Sequence, residues 1–237
     1  MQSLVGQKLL VLGGSSGIGF AVARLGVEAG AHVTVASRSQ ARIDKAVERL
    51  GTEVGGASLD LTDPFAVEAF LSQGEVWDHV IVTGSDVEIA PVRSHPLDKA
   101  RAAFDSKFWG FYHVARHVRI RDGGSLGVVS GFLATRPAAG RALMGAINGA
   151  LESLVRGLAL ELKPVRVNAV SPAMVATEMW DSLSPQDREA AYARSAANYP
   201  AGCIGEPDDI ARMLLLLATT SYATGTIVML DGGASIA

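Results

Sequence analysis

The residues whose spacing most directly suggests chemistry are glycines near the start of the chain. Residues 12–19 read Leu-Gly-Gly-Ser-Ser-Gly-Ile-Gly, which places Gly13, Gly17 and Gly19 in a G-x-x-x-G-x-G pattern. Each absent side chain has a separate use: a sharp turn at Gly13, close approach of backbone to a ligand at Gly17, and tight helix packing at Gly19. An apolar run, Lys8–Leu12, precedes the pattern, and a helical pattern over Gly17–Ala29 follows it. A helix opening here turns its unpaired N–H groups toward an anion, so Ser15, Ser16, Gly17 and Ile18 join the glycines as a candidate pyrophosphate cradle. Glycines alone indicate only a tight turn. Between a strand and a helix, inside a βαβ unit of roughly 30 residues, they indicate a dinucleotide site.

Two further positions refine that site. A site selective for NAD carries Asp or Glu at the end of the second strand, about 20 residues beyond the glycines, to hold the ribose 2′-hydroxyl. This chain has Ser37-Arg38 there. Ser37 removes a carboxylate that would repel a 2′-phosphate, and the Arg38 guanidinium can meet the phosphate with two charge-assisted hydrogen bonds. NADP(H) is therefore expected in preference to NAD(H); the competing reading is a solvated loop arginine. Asp60, in Leu59-Asp60-Leu61-Thr62-Asp63, is read as closing the third strand, where its carboxylate can accept from the adenine amino group. It could instead cap a helix, but Asp63-Pro64 suits that role better.

The elements that must position these residues follow from hydrophobic pattern. Lys8–Leu12, His32–Ala36, Ala57–Leu61, His79–Thr83, Ser125–Ser130, Val165–Val170 and Thr226–Leu230 read as strands, several of them near-continuous Val, Ile and Leu runs suited to burial on both faces. Helical patterns lie between them at Gly17–Ala29, Gln40–Leu50, Pro64–Gln73, Asp98–Arg119, Arg141–Leu162 and Pro207–Thr219. The alternation predicts an α/β protein: a three-layer Rossmann fold whose doubly wound, seven-stranded parallel sheet carries helices on both faces. All 237 residues are read as one dinucleotide-binding domain. Residues 178–205, polar and containing Tyr192 and Tyr199, fit none of the strands and are read as a lid over a pocket.

Composition narrows the partners. The net charge of −3 gives no reason to expect nucleic acid or an anionic membrane. The single cysteine, Cys203, excludes an internal disulfide and a thiolate zinc site, and no metal is expected. The longest apolar stretch, Met213–Ala218, is too short to span a bilayer, and no targeting segment is visible, so a cytoplasmic protein acting on a small molecule is expected.

These residues resemble the short-chain dehydrogenase/reductase family over essentially the whole chain. Asn168-Ala169-Val170-Ser171-Pro172-Ala173-Met174-Val175-Ala176-Thr177 is similar to the family's N-x-V-x-P-G-x-V-x-T, with Ala173 in place of glycine. The resemblance implies that the Val175 backbone and the Thr177 hydroxyl hold the nicotinamide carboxamide. It also implies cofactor contacts by Leu61 and Gly84 at the ends of the third and fourth strands. Gly205-Glu206-Pro207-Asp208-Asp209-Ile210, Thr224-Gly225 and Asp231-Gly232-Gly233 extend the likeness. Helices 4 and 5 and the C-terminal strand build dimers and tetramers in this family, so a homo-oligomer is expected.

The family's proton chemistry uses Tyr and Lys in Y-x-x-x-K, a Ser at the preceding strand end and an Asn on helix 4. In the register set by Ala146, Glu161 and Asn168, Met144 takes the Tyr position, Asn148 the Lys position and Gly131, just after Ser130, the Ser position. Phe104-Asp105-Ser106-Lys107-Phe108-Trp109-Gly110 resembles F-D-x-N-x-x-G and puts Lys107 at the Asn position. A thioether has no proton to give, and a neutral amide cannot lower a neighbour's pKa as an ammonium does. Three readings follow: an oxidoreductase with rebuilt proton chemistry, for which Lys107 is the candidate acid–base group; an NADP(H)-responsive binding or regulatory module without catalysis; and a structural subunit paired with an active relative. For Lys107 the competing role is a structural ammonium donating to strand-end carbonyls.

Overall fold

The computed structural model describes residues 3–85 and 88–237. Seven strands, β1 (Lys8–Leu12), β2 (His32–Ser37), β3 (Gly55–Ser58), β4 (Trp77–Val82), β5 (Ile120–Val129), β6 (Arg166–Pro172) and β7 (Ile227–Leu230), form one sheet in the order β3-β2-β1-β4-β5-β6-β7. Every pairing between neighbouring strands is parallel. The helices are α1 (Gly17–Glu28), α2 (Gln40–Leu50), α3 (Pro64–Ser72), α4 (Leu97–Phe104), α5 (Gly110–His117), α6 (Ala142–Glu161), α7 (Pro185–Asn198) and α8 (Pro207–Thr219).

Two hydrophobic layers sandwich the sheet because successive strand residues point to opposite faces. In β1, Leu9 and Val11 join Val22 of α1, Ile43 of α2 and Leu214 of α8 on one face. Leu10 and Leu12 join Val67 of α3, Phe111 of α5 and Leu151 of α6 on the other. The expected three-layer, doubly wound α/β architecture is therefore the observed one. Strand order reverses between β2-β1 and β4-β5, where chain leaving adjacent strands turns to opposite faces and opens a crevice. Among the described residues no helix is long and apolar enough to cross a membrane.

Four local differences from the sequence reading matter. Strand β3 spans Gly55–Ser58 instead of Ala57–Leu61, so Asp60 and Leu61 lie in the loop beyond it. Its Gly-Gly-Ala-Ser sequence carries no apolar signal; pairing with β2 defines it. Strand β5 begins earlier than expected, at Ile120, and ends at Val129. The single helix expected over Asp98–Arg119 is α4 and α5 joined by a π-helical turn, Asp105–Trp109, which contains Lys107. Finally, residues 178–205 contain a regular helix, α7. It buries none of its residues, so hydrophobic period could not reveal it, but Ser184-Pro185 at its start is a capping signal.

Candidate active site

The glycine loop stands at the β1 side of the crevice, packed against the chain leaving β4. Strand register sets Leu12 beside Val82, so the two following segments emerge together. Gly13, at φ 89°, lies where a Cβ would come within 2.3 Å of the Gly84 amide nitrogen. A Cβ on Gly19 would fall 2.1 Å from the Gly13 carbonyl oxygen and 2.5 Å from Thr83 Oγ1. No side chain fits at either place. Thr83 ties the loop down, its hydroxyl lying 3.3 Å from both the Leu12 and the Gly13 carbonyl oxygens. Helix α1 has no side-chain cap hydrogen bond and no acidic residue in its first turn, whereas Asp63 caps α3 and Ser184 caps α7 through their side chains. Ser15, Ser16, Gly17 and Ile18 are partly exposed on this loop.

Ser37 and Arg38 follow β2, with Arg38 exposed. The Ser37 hydroxyl is buried and has no hydrogen-bond partner, an arrangement that costs free energy and calls for an acceptor or donor from outside the chain. A phosphate on the 2′-position of a dinucleotide is such a group, and the glycine cradle fits its pyrophosphate. Asp60 is used locally: its Oδ1 accepts from the Thr62 amide and hydroxyl, each at 2.9 Å, making an Asx turn beyond the end of β3. Asp63 caps α3 as expected, through the Phe65 and Ala66 amides. Leu61 packs at the π turn, close to Gly110.

The segment Met174–Thr177 is held by the region read as a lid. Val175 bridges to Gly205, the Trp180 indole N–H donates to the Val175 carbonyl at 3.0 Å, and the Met174 amide donates to the Tyr199 hydroxyl at 3.4 Å. A cleft of about 500 Å³ opens between Gly17, Phe20 and Ala21 of α1 and Thr177, Glu178 and Tyr192. It belongs to the α1 edge of the crevice; Lys107, Met144 and Asn148 do not line it.

Across the crevice, three elements bring the other candidates together. The π turn carries Lys107, whose amino group donates to the Ser130 carbonyl at 2.9 Å and to Asn148 Oδ1 at 2.7 Å. Asn148 is buried on α6, one turn beyond the partly buried Met144 on the same helix face. Its amide nitrogen would lie 2.6 Å from a Cβ on Gly131, so the bare backbone of Gly131 makes room for it. Burial pulls the Lys107 amine down from its ordinary 10.5 to about 8, and the charge of Glu152 opposes that shift.

Glu152 and Ser171 are the participants that motif reading missed. Glu152, buried on α6, accepts at Oε1 from the Ser130 hydroxyl at 2.9 Å and the Ser171 hydroxyl at 3.1 Å. The signal in the sequence was a carboxylate on α6 directly after Leu151, the first residue of a buried Leu151-Val155-Leu158 stripe. Among the described residues no group of side chains forms a metal site.

Comparison with known proteins agrees with this architecture. The family model described as enoyl-(acyl carrier protein) reductase matches residues 13–235. The short-chain dehydrogenase/reductase ATR9 of Stachybotrys chlorohalonatus is 32% identical over 252 residues, covering 99% of each chain. A small-chain dehydrogenase solved with NADPH is 34% identical, with a TM-score of 0.80 over 98% of this chain and 99% of the other. An NADPH-bound short-chain oxidoreductase of Pseudomonas aeruginosa PAO1, described as containing an atypical catalytic centre, is 25% identical, with a TM-score of 0.89 over the full length of both chains. The chain belongs to the short-chain dehydrogenase/reductase family.

Proposed function

We propose that this protein is an NADP(H)-dependent oxidoreductase with a non-standard active site, in which Lys107 exchanges the proton that the family's tyrosine handles. The observation that carries this reading is the Lys107 amine, held by two hydrogen bonds, one to the Ser130 carbonyl and one to Asn148. An ammonium has three N–H groups, so one remains for a substrate oxygen. An amine near 8 holds its proton at neutral pH and can release it, as a general acid must.

The cofactor supplies a hydride when bound. Every other task falls to the chain. Gly13, Ser15, Ser16, Gly17, Ile18 and Gly19 cradle the pyrophosphate, and Ser37 and Arg38 hold the 2′-phosphate. Asp60, Leu61 and Gly84 border the adenosine half, and Val175 and Thr177 hold the carboxamide. Ser130, Gly131, Met144 and Asn148 wall the substrate pocket, with Met144 excluding water rather than giving a proton. Residues 1–237 act as one domain under a lid at 178–205. NADPH binding by two structural relatives, one of them with an atypical centre, supports the same reading.

One observation favours a second reading, a binding module without turnover: both of Lys107's hydrogen bonds serve structure, joining the π turn to the end of β5 and to α6. NADPH oxidation across ketones, quinones and imines separates the two readings. Sustained turnover supports the oxidoreductase; tight NADPH binding without turnover supports the module. We also propose a homo-oligomer, dimer or tetramer, because Trp109, Tyr112, Leu160, Tyr222 and Ile236 expose apolar surface on the π turn, α5, α6 and the C-terminal region. A monomer at micromolar concentration in light scattering would refute that.

A further inference from the structure

Glu152 is buried on α6, next in sequence to Leu151 and about one turn before Val155, both fully buried. An ionised carboxylate in such surroundings costs several kcal/mol unless a charge or hydrogen bonds compensate it. The Ser130 and Ser171 hydroxyls supply hydrogen bonds but no charge. Lys107 has the mirror-image problem, since the Ser130 carbonyl and the Asn148 amide oxygen are neutral acceptors. The two groups meet through one residue: the Ser130 carbonyl takes from the ammonium while its hydroxyl gives to the carboxylate. Other charges on the elements packed around the π turn lie at the surface. Arg101, Asp105, Arg116 and Arg156 are exposed, and His113 is turned to the Leu61 carbonyl at 3.1 Å. Glu152 is the charge that acts on the amine.

We propose that Glu152 is a positioning residue for the reaction: held by Ser130 and Ser171, its negative charge keeps Lys107 protonated and aimed into the crevice. This rests on the reading of Lys107 as the proton donor. Glu152 does not itself touch the reacting atoms, and no proton passes between the two groups, because the Ser130 hydroxyl is committed to the carboxylate and the ammonium to the Ser130 carbonyl.

The test needs no substrate. The chain has five lysines, so 13Cε-labelled full-length protein gives a small set of resonances, with that of Lys107 identified by its absence in Lys107→Met. In the native protein the Lys107 resonance should titrate with a midpoint near 8. Glu152→Gln, which keeps an acceptor oxygen for both serines but removes the charge, should lower the midpoint by about one pH unit, a tenfold loss of proton affinity. Glu152→Asp should leave most of the native midpoint in place. An unmoved midpoint in folded Glu152→Gln would overturn the assignment. If Glu152→Gln does not fold, the double variant with Lys107→Met decides: recovery of the native fold supports the pairing, and failure to recover overturns it. A shifted midpoint in a protein that turns nothing over would defeat only the redox reading, so the two failures are distinguishable.

Discussion

The two ends of the crevice are built from opposite materials. At the dinucleotide end, function lies in what is missing: glycines that let β1, α1 and the chain after β4 approach within distances no Cβ allows, and a helix start left without a side-chain cap. At the other end, side chains from separate elements meet: Lys107 from a π turn, Asn148 and Glu152 from α6, Ser130 from just beyond β5 and Ser171 from β6. The first end is largely backbone, and at Gly13 and Gly19 it leaves no room for a Cβ. The second depends on charge and hydrogen bonding among separate elements.

The contrast sets an order of expected effects. Removing the amine, with Lys107→Met, should lower turnover by about 10²–10⁴-fold, the usual worth of general acid–base help, and leave NADPH affinity within a few-fold. Equal loss of NADPH affinity in fluorescence titration would mean that the two ends are not separable. Adding one methyl group to the cradle, with Gly19→Ala, should do the reverse. Its Cβ would lie 2.1 Å from a carbonyl oxygen, and NADPH binding should weaken by about 10- to 100-fold. Arg38→Ala should cost roughly 1.5–3 kcal/mol of NADPH binding and leave NADH almost unaffected; equal losses for both cofactors would remove Arg38 from the 2′-phosphate.

The smallest effects should come from returning single family residues. Gly131→Ser puts a Cβ 2.6 Å from the Asn148 amide nitrogen, so it should disturb the Lys107 acceptor and add no ketone reduction. Residues that act as a unit restore function only together. Gly131→Ser, Met144→Tyr, Asn148→Lys and Lys107→Asn combined should therefore raise reduction of simple ketones above every single variant, measured by NADPH absorbance. A gain from Met144→Tyr alone would show that the present cluster takes no part.

The same division explains what was legible in the sequence. Glycine spacing encodes backbone geometry directly, so the turn at Gly13 and the close contact at Gly19 could be read, as could the seven strands and their doubly wound arrangement. Apolar runs in β1, β4 and β6 named the core because buried parallel strands need such runs. Strand β3 was displaced by a few residues because Gly55 and Gly56 carry no hydrophobic pattern, and Asp60 turned out to close an Asx turn rather than a strand. The π turn was invisible because a π-helical turn is an irregularity within one continuous helical pattern. Lys107, Gly131, Met144 and Asn148 could be singled out by register. Their joint geometry could not, nor could the part played by Glu152, because the partners lie 19 to 41 residues apart on different elements.

The pH dependence of kcat/KM for NADPH-driven reduction, in the native protein and in Lys107→Met, bears most directly on the central claim. A base drawn down by burial loses its proton as pH rises through its lowered midpoint, so the rate of reduction should be steady below about 8 and fall above it. In Lys107→Met that alkaline limb should vanish together with most of the rate. Turnover that survives the substitution with its pH profile intact would contradict the assignment of the proton to Lys107, and saturating NADPH binding with no turnover on any carbonyl, quinone or imine would contradict the oxidoreductase itself.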